Sequence, residues 1–122
     1  NPDTIWSKDY HNEILRMERI YFSKKLKNIL LLVDKKLSFD QSFKGDFDLQ
    51  NNLISKKDKM DFIYTGFQIL NKKILMNQIK RKFSILNIWN KLIDEKKLYG
   101  YESKQKFYHL TDLKTFNKLK DL

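Results

Sequence analysis

The first 37 residues carry the pattern that most restricts the fold. Ile14, Met17 and Tyr21, then Phe22, Leu26, Ile29, Leu30, Val33 and Leu37, recur at 3- and 4-residue steps, and neither Gly nor Pro interrupts them. An α-helix turns about once per 3.6 residues, so this spacing predicts an apolar stripe on a long helix, or on two with a bend near Tyr21, Phe22 and Ser23. Asp3 or Ser7 would cap its start by accepting an unpaired amide hydrogen of the first turn. Structure breakers are sparse elsewhere too: the 122 residues include three Gly, one Pro and no Cys. The lack of Cys excludes disulfide scaffolds, thiolate metal sites and Cys nucleophiles, and it fits a soluble protein in a reducing, intracellular compartment, cytoplasmic or nuclear.

From residue 38 to 57 the periodicity lapses into Asp40, Gly45, Asp46, Asp48, Asn51 and Asn52, with Phe39, Phe43 and Phe47 between them, which predicts a connecting loop. The spacing of Asp46, Asp48 and Gln50 suggests a calcium loop, but Asn51 stands where a Gly is needed and Lys57 where a bidentate Glu belongs, so calcium is excluded. A second helical block is expected from Asp58, with Met60, Ile63, Phe67 and Leu70 on one face. Two more helices follow, marked by Ile74, Leu75, Ile79 and Phe83, and by Ile85, Ile88, Trp89, Leu92 and Ile93. Leu98 to Tyr101 and Lys106 to Leu110 are aromatic and β-prone on either side of a polar tip, Glu102 to Gln105, and predict a β-hairpin. Thr111 would cap a closing helix with Leu113 and Phe116 turned inward.

The expected architecture is therefore mainly α with a small β-hairpin: an N-terminal helical segment (1–37), a connecting loop (38–57) and a helix–hairpin region (58–122), packed as one compact unit. An all-α bundle is the alternative if residues 71–97 form one uninterrupted helix. A hydrophobic content of 41% is enough for a single core in a chain of this length.

A net charge of +10 favours a polyanionic partner, nucleic acid or an anionic membrane. Abundant Asn, Ile, Phe and Lys also suit AT-rich coding, yet the charge is not uniform. Residues 72–106 hold 10 bases against 3 acids and so carry +7 of the +10. Within them Lys80, Arg81 and Lys82 form the densest cluster, and Arg81 has the fork geometry that best grips phosphate. If Ile85, Trp89, Leu92 and Ile93 face the core, Asn87, Asn90, Lys91 and Asp94 face outward, where Asn pairs with adenine and Lys reaches guanine or phosphate. Lys104 and Lys106 on the hairpin would touch backbone phosphates.

The order of elements over residues 58–122 resembles a winged helix-turn-helix domain. Met76-Asn77-Gln78-Ile79 stands as its first helix, Ile85 to Lys97 as the recognition helix and Leu98 to Thr111 as the wing. Lys106 to Leu113 is similar to the second wing strand and following helix of MarR-type regulators and small plasmid partition and replication proteins. The link around Phe83-Ser84-Ile85 is shorter than the usual turn and lacks Gly. The resemblance implies binding of duplex DNA, in preference to RNA, through Lys80, Arg81, Lys82, Asn87, Asn90, Lys91, Lys104 and Lys106, in regulation, replication or partition. A helical interaction or scaffold module and an RNA- or ribosome-associated basic protein are the alternatives.

Catalytic signals are weak. His11 and His109 are far apart in sequence and neither has a metal-ligand spacing, and three glycines cannot build a phosphate-cradling loop. The chain is expected not to be an enzyme and to need no metal or cofactor. The longest apolar run, Ile29 to Val33, is too short for a transmembrane helix, so no membrane partner is expected, while the N-terminal helices would support a homodimer or larger assembly.

Overall fold

The computed structural model describes residues 4–5, 8–42, 44–73 and 85–109. In chain order the elements are β1 (Thr4–Ile5), α1 (Lys8–Ser23), β2 (Asn28–Asp34), a 3-10 turn (Lys35–Leu37), β3 (Asp48–Gln50), β4 (Leu53–Ser55), β5 (Phe62–Leu70), α2 (Ile85–Asp94), β6 (Tyr99–Ser103) and β7 (Tyr108–His109). Five strands form a mixed sheet in the order β3-β4-β6-β2-β5, and β1 pairs with β7 in a separate ladder. This is an α/β fold, which corrects the expectation of a mainly α chain with long N-terminal helices. The expected helix (Ile74 to Phe83), the cluster Lys80, Arg81 and Lys82, and the closing helix after Thr111 lie outside the described residues.

The stripe over residues 14–37 splits at Ser23. Tyr10, Met17 and Tyr21 do lie on the buried side of α1, but Asn28 to Val33 are buried on both faces of the interior strand β2. Ile29 and Leu31 pack with Tyr10, Met17 and Tyr21, whereas Leu30 and Leu32 pack with Trp89 and Leu92 of α2. A strand covered on both sides is a continuous apolar run, and such a run satisfies helical spacing by chance. Helices α1 and α2 each end on a left-handed lysine, Lys25 (φ 52°) and Lys96 (φ 57°). The amide of the next residue reaches back across each turn, Leu26 to Tyr21 (3.0 Å) and Lys97 to Leu92 (2.8 Å), in the closing pattern usually built on Gly.

The other corrections follow the same logic. Within the helical block expected from Asp58, Phe62–Leu70 is instead β5, antiparallel to β2, with a register shift opposite Leu31 where Gly66 takes φ 102°. The expected loop contains the β3–β4 hairpin, turned by Asn51 (φ 53°) and Asn52 (φ 65°), the backbone that two-residue hairpins require. Gly100 lets this hairpin close over β6, because a Cβ there would meet Leu49, Ile54 and Leu32 side chains at 2.9–3.0 Å. The expected wing does not form: β6 lies parallel to β2 and β7 pairs with β1, so Tyr99 to Ser103 and Tyr108 to His109 find distant partners rather than each other. Without that hairpin the winged helix-turn-helix reading fails. Among the described residues, the sheet with α1 on one face and α2 on the other replaces it.

Candidate functional site

The α2 face of the sheet carries an aromatic stack. Trp89 meets Tyr64 edge to face at 5.0 Å and Phe47 at 5.7 Å, and its indole Nε1–H donates to Gln68 Oε1 at 3.2 Å. Trp89 is 6% exposed, as the helical stripe of Ile85, Trp89, Leu92 and Ile93 requires. Burial raises the Tyr64 phenol to a pKa of about 12.

At the edge of this stack a basic surface opens to solvent. Lys56 Nζ stands 5.4 Å from the Phe47 ring centroid and donates to Asn90 Oδ1 at 3.4 Å, so ring and amide both fix the ammonium. Asp48 sets the turn that follows Lys56. Its Oδ2 accepts the amides of Lys57 (2.8 Å) and Asp58 (2.7 Å), and its Oδ1 accepts that of Met60 (2.7 Å), which sits at φ 53°. Partial burial pushes this carboxyl upward, but the three amide bonds outweigh it and hold it below its ordinary value. Asp46 accepts the Tyr64 amide at 3.0 Å. The aspartates that suggested a calcium loop are backbone acceptors, Asp48 for a turn and Asp46 for strand β5. Among the described residues no three His, Cys, Asp or Glu side chains gather as metal ligands, and no helix is long and apolar enough to cross a membrane.

The residues singled out in the sequence separate in space. Asn87, Asn90, Lys91 and Asp94 are exposed on α2, and Asn90 joins Lys56. Lys104 and Lys106 follow β6, where the Lys104 ammonium pairs with Glu102 (3.2 Å) and the Lys106 carbonyl accepts from Tyr10 Oη (2.8 Å). They flank the anchor of α1, away from any hairpin tip. Lys56 was hidden by the reading of residues 38–57 as a plain connection. Its signal was Asp48, which sets the turn after Lys56, together with the Lys56-Lys57-Asp58-Lys59 run.

Set beside known structures, this α/β fold has a neighbour that shares its architecture. The crystal structure of a Bacillus anthracis protein assigned as a glucose-1-phosphate thymidylyltransferase, in complex with sucrose, aligns over 95% of this chain and 49% of that chain, with a TM-score of 0.64 and 17% identity. The chain thus spans about half the length of that neighbour. No family profile matches the chain, and neither does any curated protein. The likeness corrects the winged-helix resemblance and the expectation of a non-enzyme, since the fold is shared with a protein assigned as a nucleotidyltransferase.

Proposed function

We propose that the chain forms part of a nucleotidyltransferase-like protein and recognises a phosphorylated ligand, a sugar phosphate in the first instance, with Lys56 and Asn90 as the phosphate-facing pair. The observation that carries this reading is the Lys56 ammonium, held over Phe47 and against Asn90 within a fold that aligns over 95% of the chain with that neighbour. A prepositioned ammonium binds an oxyanion at little ordering cost, and the Asn90 amide offers N–H donors beside it. The neighbour's name supplies the substrate class. Sugar phosphates and nucleoside triphosphates are intracellular metabolites, so the reading carries an intracellular location with it.

Titration of glucose 1-phosphate, dTTP and inorganic phosphate against Trp89 fluorescence, with Trp6→Phe as background, tests the proposal. Lys56→Ala is expected to weaken sugar-phosphate binding by roughly tenfold or more, the loss of one charge-assisted contact, and Asn90→Ala by less. Unaltered binding in Lys56→Ala, or no binding of glucose 1-phosphate, would sink it. A duplex DNA arm addresses a second reading, in which exposed Asn90 and Lys91 meet nucleic-acid phosphates. That reading predicts a steep loss of affinity with salt and indifference to the sugar.

A further inference from the structure

Three segments meet at one end of the sheet: residues 24–27 before β2, 71–73 after β5 and 94–97 before β6. The register places them together, since Asn28 opposes Leu70, Ile29 lies beside Tyr99, and the Asn71 amide donates to the Lys27 carbonyl at 3.0 Å. They carry seven exposed lysines, Lys24, Lys25, Lys27, Lys72, Lys73, Lys96 and Lys97, against exposed Asp94 and Glu95, which leaves 7 − 2 = +5. The C-termini of α1 and α2 point here. Their partial negative charges, roughly half a unit each, favour some of these lysines but cancel only about one of the five. The two ion pairs among the described residues, Lys35–Asp61 and Lys104–Glu102, lie at the opposite end of the sheet. On the last turn of α1 Phe22 is 70% exposed, its ring edge-on to Tyr21 at 5.0 Å.

We propose that this end of the molecule is a docking surface for an anionic lipid bilayer, with the lysines on the headgroups and Phe22 in the interfacial layer. Two features favour a bilayer over a nucleic-acid strand. The lysines come from the α1 side, the sheet and the α2 side, so they cover a disc roughly 20 Å across rather than a track. They are also ammonium point charges beside one protruding apolar ring, the combination that adheres to anionic interfaces without reading a sequence. The contact is peripheral and independent of the phosphorylated-ligand reading.

The test is co-sedimentation of the 122-residue chain with phosphatidylcholine vesicles and with vesicles also containing phosphatidylglycerol, at low and high salt. Binding is expected only to the anionic vesicles and is expected to fall with salt. A lysine near such a surface is worth roughly fivefold in partitioning. Combined Lys24→Gln, Lys27→Gln, Lys72→Gln and Lys73→Gln, which spares the capping residues Lys25 and Lys96, is therefore expected to reduce binding at least tenfold. Phe22→Ser, a surface change, is expected to reduce it several-fold. Lys104→Gln with Lys106→Gln, at the other end, is the control expected to bind as the parent does. Equal binding to neutral vesicles, no binding to anionic ones, or loss in the control matching that in the fourfold variant overturns the proposal. So does binding of a single-stranded oligonucleotide that anionic vesicles do not compete away.

Discussion

Helices α1 and α2 cover opposite faces of the same interior strand, β2, but are held to it in different ways. α1 is fastened by polar bonds: Glu13, 2% exposed, accepts the Ser103 hydroxyl at 2.6 Å and the Lys104 amide at 2.9 Å, and Tyr10 Oη donates to the Lys106 carbonyl. α2 is fastened chiefly by shape, through Trp89 between Phe47 and Tyr64, with one bond from the Trp89 indole to Gln68. Directional bonds fix the position of α1 along β6 at the risk of stranding buried polar groups if a partner is lost. Aromatic packing tolerates small shifts but depends on volume.

The largest expected effect tests the α2 side. Trp89→Ala removes the centre of the stack and is expected to cost about 3–5 kcal/mol in chemical denaturation. A loss below about 1 kcal/mol would mean that the stack is not what holds α2. On the α1 side, Glu13→Ala leaves Ser103 and Lys104 without their acceptor and is expected to cost about 2–3 kcal/mol, with Glu13→Gln recovering part of it because the amide oxygen still accepts. Equal stability of the two variants would contradict the polar fastening.

The smallest effect is a pH dependence confined to the α2 side. The folded Tyr64 phenol titrates at about 12 against about 10 in the unfolded chain, so between these values the folded state holds a proton that the unfolded state has lost. Stability is therefore expected to fall as pH rises from about 10 towards 12, and Tyr64→Phe is expected to remove this share of the fall. Parallel alkaline melting curves for parent and variant would refute it.

Helix α2 and its outward row of Asn87, Asn90 and Lys91 were legible because its two sides differ in polarity. β2 was not, because both of its faces are covered and the alternation that marks a half-buried strand disappears. β5 was misread because Met60, Ile63, Phe67 and Leu70 fall at helical steps, while the irregularity at Gly66 breaks the strand's rhythm opposite Leu31. The helix ends were invisible because lysines occupy the left-handed positions where a Gly would have announced a stop. β6 looked like a hairpin strand because its composition signals extended backbone without naming a partner, and its partners β2 and β4 are remote in sequence. Lys56 belongs to the same class of omission, since what makes it distinctive is Asn90, 34 positions away.

The parallel pairing of β2 with β6 joins Ile29 to Tyr99, separated by 70 positions. During synthesis Ile29 to Val33 leaves the ribosome long before β5 and β6 exist to pair with its edges or α2 to cover its second face, and in that interval an apolar ribbon with two sticky faces has only α1 to shelter one of them. Long-range pairing of this kind slows folding and lengthens the exposure of such ribbons to neighbouring chains. Yield of native protein should therefore depend on temperature and translation rate more than the final stability of the fold would suggest, with β2 as the segment that seeds inclusion bodies when those conditions are unfavourable.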